Sequence, residues 1–173
     1  MGQCGMTQSV ASERAIVIGL GEYHVTRDPL IELVCLGIGS CIAYAAYDRL
    51  SGVAALAHFV LPDGSARASV TSEARFVDLG VPLILREMKS AGAHLTRTVF
   101  KIAGGSQMTV ARGFESKLNI GERNLDAVRQ AMADRNLAIT SVDCGGSQGR
   151  TVRLKVETGK LYVSKVGGEV REI

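Results

Sequence analysis

The sequence predicts an α+β fold with mixed β-sheets. Two hairpin-like pairs of apolar runs are interspersed with about two helical patterns, and no regular alternation of strand and helix runs through the chain. Hairpins mixed with a few helices are typical of α+β proteins, whereas regular βαβ units predict a parallel sheet. The chain has 173 residues, 46% of them hydrophobic, so one domain can bury a sizeable core.

Composition and charge argue against several classes of protein. A net charge of +3 does not provide the concentrated basic face of a nucleic-acid-binding protein. No apolar run reaches about eighteen residues, so membrane insertion is not expected. The three histidines and four cysteines lack zinc-ligand spacing, so we expect no metal site.

The sequence predicts a short leader followed by one domain. The first residues lack the basic and apolar regions of a signal peptide, and we expect residues 1–14 to be a disordered leader. Residues 15–173 are expected to form a single domain. The cysteines form neither a Cys-x-x-Cys pair nor a small disulfide scaffold. This favours reduced thiols and a cytoplasmic location.

The first half of the chain predicts strands around one central hairpin. A first strand covers 15–19, and 22–25 is expected to continue it beyond a glycine bend. The run 30–34 follows an Asp-Pro turn and leads into the hairpin, whose apolar runs are 42–47 and 53–61.

The second half predicts two helices among further strands. The first helical pattern begins near residue 72 and is interrupted by Pro82, so either the helix kinks there or its better-formed part begins near Gly80. The second runs through about Arg135, with Asn124 or Gly121 as the expected N-cap. Strands are expected at 98–103, 137–143, 151–156 and 161–163.

Two further features have bland interpretations that we favour. The glycine-rich turn at 104–107 lacks the spacing of a nucleotide-binding loop, so we expect it to turn tightly or to support a neighbouring site. Arg150, Arg153 and Lys155 are expected on a solvated face of the last hairpin, although they are also candidates for contact with a partner.

The central hairpin places a thiol near an imidazole. If its turn centres between Arg49 and Leu50, paired residue numbers sum to 99, and Cys41 then lies opposite His58. Directly opposed Cβ atoms are about 4.5–5.5 Å apart. A neighbouring imidazolium lowers the pKa of a thiol and can later protonate a leaving group. Gly37 and Gly39 can bend the backbone and expose N–H groups to an oxyanion. Ordinary core packing of a buried cysteine and histidine is the alternative.

The motifs in this order closely resemble the CheD family of chemoreceptor glutamine deamidases. Gly-Ser-Cys at 39–41 is followed by Ala-His-Phe-Val-Leu-Pro at 57–62. The further matching motifs lie at 19–23, 101–108, 120–124, 143–146, 149–150 and 158–159. The resemblance covers about residues 15–166 and implies a layered sandwich in which two or three helices flank packed sheets.

The resemblance also implies a function and a set of site residues. It implies hydrolysis of receptor glutamine side chains to glutamate, with Cys41 as nucleophile, His58 as its acid–base partner and no cofactor. The family has a threonine as third member, six residues before the nucleophile, where this chain has Cys35. Because a thiol is a weak hydrogen-bond donor and acceptor, we expect Cys35 to orient the imidazole less firmly than threonine would.

The implied partners are the cytoplasmic helical domain of chemotaxis receptors and a CheC-type phosphatase. Two alternatives to an efficient enzyme remain open. One is a weakly catalytic or non-catalytic regulatory protein that binds receptors and the phosphatase. The other is redox control through Cys35 and Cys41, which requires their Cα atoms to lie within roughly 7 Å.

Overall fold

The computed structural model describes residues 14–65, 70–107, 119–165 and 167–173. The predicted leader lies outside these residues except for Arg14. Residues 66–69, which follow the central hairpin, also lie outside them. The described strands are β1 Arg14–Val17, β2 Tyr23–Thr26, β3 Ile31–Ile38, β4 Ile42–Asp48, β5 Val53–Phe59, β6 Val99–Gly104, β7 Ile139–Cys144, β8 Arg150–Lys155, β9 Lys160–Lys165 and β10 Arg171–Glu172. The α-helices are α1 Val77–Ser90 and α2 Ile120–Ala133.

The described strands form two five-stranded sheets. One has the order β1-β3-β8-β9-β10 and the other β2-β5-β4-β6-β7. Neighbouring strands are antiparallel except in the pairs β1–β3 and β6–β7. The predicted α+β class, with mixed and largely antiparallel sheets and helices, is therefore confirmed.

Alternating side chains along β4 and β5 divide the interior into two hydrophobic layers. Tyr44 and Phe59 face α1 and α2 and belong to the layer between helices and sheet. Ala43 and Leu56 face the other way and pack against Leu33 and other residues of the first sheet. Successive residues of a strand point to opposite faces, so this central sheet is buried on both sides.

A bend at Gly21, immediately after β1, takes the chain from one sheet to the other. The sequence suggests that 22–25 continues the first strand, but β1 belongs to one sheet and β2 to the other. Gly21 has a φ of 73°, a conformation that glycine adopts without steric cost. The turn therefore redirects the chain rather than merely bending one strand.

The register of the central hairpin differs from the predicted one by two residues. Ala43, not Cys41, lies opposite His58, and the loop 49–52 has four residues. Gly52 has a φ of 69°, and the Asp48 carboxylate accepts a hydrogen bond from the Leu50 N–H at 3.2 Å. These features stabilise a longer loop than the two-residue turn that the predicted register requires.

The helix boundaries also differ in part from the prediction. A short 3₁₀ turn, Glu73–Arg75, precedes α1, and Pro82 lies inside the helix. The N-cap of α2 is Asn119, whose side chain accepts a hydrogen bond from the Glu122 N–H at 3.1 Å. The prediction that Asn124 or Gly121 caps this helix is therefore wrong, because both lie within its first turns.

Candidate active site

The cysteine loop, residues 39–41, joins β3 to β4 and is held by three hydrogen bonds. The Gly39 carbonyl accepts from the Ser106 N–H at 2.8 Å, and the Cys41 carbonyl accepts from the Gly105 N–H at 2.8 Å. The Ser40 carbonyl accepts from the Asn124 side chain at 2.9 Å. Each backbone carbonyl of this loop is therefore engaged, which restricts the position of Cys41.

The glycine turn, residues 104–106, supports this loop from β6. Gly104 has a φ of 127°, and a Cβ atom there would overlap the Cys41 carbonyl oxygen. Only glycine tolerates both this conformation and this close approach. The interpretation of 104–107 as a tight turn that supports a neighbouring site agrees with this packing.

Arg150 lies buried beneath the glycine turn rather than on a solvated face as predicted. Its guanidinium donates to the Asp143 carboxylate at 2.8 Å, to the Gly145 carbonyl at 2.7 Å and to the Ser106 hydroxyl. Its side chain is 2% exposed. Ser106 also donates its hydroxyl hydrogen to the Gln148 carbonyl at 2.7 Å. The network thus connects β7 and β8 to the residue whose N–H holds Gly39.

His58 is buried at the end of β5 and is enclosed by the 18–22 segment. The Gly21 N–H donates to its carbonyl at 2.9 Å, and its own N–H donates to the Glu22 carbonyl at 3.0 Å. Nδ1 lies 3.4 Å from the Ile18 carbonyl oxygen. Within the described part of the chain, Nε2 is buried and has no hydrogen-bond partner. The imidazole therefore has one nitrogen against the backbone and one available for chemistry.

Cys41 lies in the bend directly before β4. Since Ala43 is directly opposite His58, alternation continued by two residues predicts that position 41 lies on the same side of the hairpin. Diagonal neighbours are typically about 7–8 Å apart, which is the separation that this register predicts for the two residues. The two-residue error in register preserved the face, because side chains alternate with a period of two.

The resting site favours neutral groups. Burial raises the pKa of the Cys41 thiol, although the nearby Arg75 guanidinium opposes this. Burial lowers the pKa of His58, opposed by the Ile18 carbonyl and the Glu22 carboxylate. The expected thiolate beside an imidazolium is therefore not the favoured resting pair, and a thiol beside a neutral imidazole is.

Cys35 lies on β3 and faces the layer between the sheets. It is fully buried and packs in the same hydrophobic cluster as Ile38 and Ala43. Burial, and secondarily the neighbouring Cys41, raise its pKa far above that of an ordinary thiol. In the described structure the nearest polar contact of His58 Nδ1 is the Ile18 carbonyl. The role of Cys35 in orienting His58 stays a prediction.

Sequence reasoning did not identify three residues that contact this site. Arg75 acts electrostatically on Cys41 from the turn before α1, and its carbonyl accepts from the Val60 N–H at 2.9 Å. Ser106 and Asn124 hold the cysteine loop. All three are far from residue 41 in sequence. The glycine motif around Ser106 and the motif at 120–124, which contains Asn124, carried a signal, whereas Arg75 lies in no such motif.

The described residues contain neither a metal-binding cluster nor a membrane-spanning helix. Among the described residues, no three His, Cys, Asp or Glu side chains are grouped so that they could hold a metal ion. In the same part of the chain, neither helix has the length and apolar character needed to cross a membrane.

Comparison with known proteins identifies the family. The model of the family described as CheD chemotactic sensory transduction matches residues 60–165. The chemoreceptor glutamine deamidase CheD of Thermotoga maritima is 41% identical over 162 residues, covering 91% of this chain and 98% of that protein. The chain belongs to the CheD family. A second member, the probable chemoreceptor glutamine deamidase CheD of Symbiobacterium thermophilum, is 38% identical over 95% of this chain and 100% of its own.

Among solved structures, the hypothetical protein YfiH of Bacillus licheniformis is similar with a TM-score of 0.43 and 12% identity. The match covers 81% of this chain and 61% of YfiH.

Proposed function

We propose that this CheD-family protein deamidates glutamine side chains of chemotaxis receptors, with Cys41 as nucleophile and His58 as acid and base. The names of the two relatives support the reaction and the substrate class. The site residues are supported by their placement at the end of one hairpin, where a fixed loop presents the thiol.

The observation that carries the assignment is the free nitrogen of His58. A histidine buried only for packing normally has both ring nitrogens satisfied, and an unpaired buried polar atom needs an explanation. His58 Nε2 is buried without a partner in the described structure. Proton transfer from Cys41, which the hairpin register predicts on the same side, gives this nitrogen a function.

The reaction starts from the neutral pair. His58 Nε2 accepts the Cys41 proton while the sulfur attacks the amide carbon of glutamine, forming a C–S bond and an oxyanion. Backbone N–H groups of the cysteine loop are the proposed donors to that oxyanion. Collapse breaks the C–N bond, and His58 returns the proton to the departing ammonia. A water molecule, deprotonated by His58, then hydrolyses the thioester and releases glutamate and the thiol.

The first experiment measures deamidation of a receptor cytoplasmic fragment by peptide mass spectrometry. We expect conversion by the unchanged protein and none by Cys41→Ala, whereas Cys144→Ala, which removes a thiol outside the proposed pair, keeps the rate. Conversion by Cys41→Ala at the unchanged protein's rate excludes the proposed nucleophile.

The same assay tests the third position. Cys35→Thr is expected to raise the rate several-fold, because a hydroxyl orients an imidazole better than a thiol does. An unchanged rate means that Cys35 does not orient His58, in agreement with the contact between Nδ1 and the Ile18 carbonyl.

We further propose that the protein acts in the cytoplasm, on the helical domain of receptors, and also binds a CheC-type phosphatase. Leu20 and Leu36 are 61% and 51% exposed and adjoin the segments that enclose His58 and carry Cys41. Apolar side chains mark a protein contact when they form a contiguous patch, so we propose that these two belong to one contact surface. The Cys41→Ala variant, which should bind substrate without converting it, is used to capture the receptor fragment and the phosphatase. Adding Leu36→Lys to this variant should weaken capture of both partners, and unchanged capture excludes this surface.

A further inference from the structure

Asn124 occupies an unusual place for a polar side chain. It lies in the first turns of α2 and is fully buried, whereas the N-cap of the helix is Asn119. Buried asparagines are normally held by hydrogen bonds, and the partners of Asn124 lie in two different segments of the candidate site.

The side-chain amide joins the cysteine loop to the strand that carries His58. Nδ2 donates to the Ser40 carbonyl at 2.9 Å and to the Val60 carbonyl at 3.0 Å. Ser40 precedes Cys41 directly, and Val60 lies two residues beyond His58. An amide nitrogen has two N–H groups, so both are used by these carbonyls.

The hydrogen bonds of Asn124 lie just beyond the last paired residues of the central hairpin. The last pair of β4 and β5 is Ile42 with Phe59. Beyond it, the Val60 N–H donates to the Arg75 carbonyl at 2.9 Å instead of to β4. The Asn124 side chain therefore replaces the missing backbone bonds between the two segments at the end that carries the reacting groups.

The helix can reach this position because of a glycine one turn earlier. Gly121 lies three residues before Asn124 and hence on the same face of α2. A Cβ atom at Gly121 would be 2.6 Å from the backbone carbonyl carbon of Gly105. The close approach brings α2 onto the glycine turn, which itself holds the cysteine loop.

We infer that Asn124 is a positioning residue that fixes the Cys41 loop relative to His58. This inference rests on the proposed function. The Oδ1 atom of Asn124 is buried without a partner in the described structure, so the acceptor of this amide stays unsatisfied while both of its N–H groups are used. Its geometry instead serves the two carbonyls. Proton transfer from thiol to imidazole depends on the distance that these bonds maintain.

The test compares Asn124→Ala with Asn119→Ala, a matched control on the same helix. The control removes the cap bond to Glu122 and destabilises α2 without touching the candidate site. We expect Asn124→Ala to lower kcat for the receptor fragment by about 10- to 100-fold, with KM changed by less than about twofold, because small misplacements of reacting groups have effects of this size. Asn119→Ala is expected to keep kcat after correction for the folded fraction.

A second readout needs no receptor substrate. The alkylation rate of Cys41 by iodoacetamide is measured against pH in both variants. Asn124→Ala should react more slowly near neutral pH, because His58 no longer takes the thiol proton, and should match the unchanged protein at high pH, where the thiol ionises without help. The control should follow the unchanged protein throughout.

The outcomes separate this inference from the proposed function. Absence of deamidation by the unchanged protein contradicts the function, while the alkylation profiles still decide the role of Asn124. Equal kcat and equal profiles in folded Asn124→Ala, or the same losses in Asn119→Ala, overturn the inference. If Asn124→Ala does not fold, Asn124→Ser, which keeps one donor, is compared in the same way and should give a smaller loss.

Discussion

The protonation states of two side chains determine how the candidate site starts its reaction. The pKa of Cys41 is raised by burial and that of His58 is lowered by burial. At neutral pH the favoured pair is a thiol and a neutral imidazole. In the proposed mechanism His58 therefore acts first as a base, and protonation of His58 before the reaction would block that step.

This predicts the acid side of the pH–rate profile. Because the pKa of folded His58 lies below its ordinary value of about 6.5, the fraction of neutral His58 falls only as the pH drops below that value. We expect kcat/KM for receptor deamidation to be level at neutral pH and to decline below about pH 6.5. Steady-state rates between pH 5 and pH 8 measure it.

A Glu22→Gln variant serves as the comparison for this profile. The Glu22 carboxylate raises the pKa of His58, so its removal should move the acid limb to still lower pH. An acid limb centred above pH 6.5 in the unchanged protein would instead indicate a resting thiolate–imidazolium pair.

At the residue scale, a local pattern predicts the proposed pair, Cys41 and His58, whereas no local pattern predicts the residues that hold them. Cys41 and His58 are joined by one local hairpin, and a register error of two residues leaves them on the same face. The Asn124 and Ser106 contacts connect residue 39 or 40 with positions far along the chain. No local pattern predicts such contacts, because they depend on how helix and sheet pack.

Among the elements, β7 and β8 are linked to the glycine turn by a buried ion pair. The Arg150 and Asp143 side chains are 2% and 6% exposed, with a separation of 2.8 Å. Burial raises the pKa of Asp143, but the bonds from Arg150 and Arg171 outweigh this and leave it below its ordinary value. The carboxylate is therefore ionised and holds the guanidinium that contacts Ser106.

Removal of this carboxylate is predicted to be strongly destabilising. Asp143→Ala leaves a buried guanidinium without its counter-charge, which typically costs about 3–5 kcal/mol. Urea denaturation measures the free energy of unfolding. Asp126→Ala is the control, because Asp126 forms an exposed pair with Arg129 at 3.7 Å and should change this energy by less than about 1 kcal/mol. Equal losses in both variants would contradict the structural role of Asp143.

The sequence predicts the helices and strands more reliably than it predicts the contacts of their terminal residues. Periodic apolar residues predict α2, but its N-cap is predicted at Asn124 or Gly121, whereas the side chain of Asn119 accepts the cap hydrogen bond from Glu122. Similarly, alternation along β8 predicts a strand with one polar face, yet Arg150 at its start is buried by the glycine turn.

At the scale of the whole molecule, the predicted site residues come from both sheets. Cys35 comes from β3 in one sheet, whereas Cys41 and His58 flank the central hairpin of the other. The order of elements predicts the α+β class, because local patterns define it. The pairing of β3 with β8 joins distant segments, and neither strand specifies that partner by its own pattern.

Protonation of Asp48 should lower the stability of the whole fold at low pH. This residue links the central hairpin to the segment before β6. This carboxylate is fully buried and accepts from the Arg97 guanidinium at 2.8 Å and the His94 N–H at 3.0 Å. The Arg97 bond, with help from backbone N–H groups, holds the pKa of Asp48 far below its ordinary value. Its stabilisation is therefore present above the unfolded pKa of about 3.9 and is lost as the pH falls towards the folded pKa.

Asp48→Asn tests this linkage because an amide does not titrate in that range. At pH 7 the variant should lose about 2 kcal/mol of unfolding free energy, the usual order for a hydrogen bond to a charged group. Between about pH 4 and pH 2 its stability should fall less steeply than that of the unchanged protein, although not to zero slope, because Asp143 also has a lowered pKa. Urea unfolding at a series of pH values measures both slopes. Parallel curves would show that Asp48 titrates alike in the folded and unfolded chain, and that the Arg97 bond does not contribute to acid sensitivity.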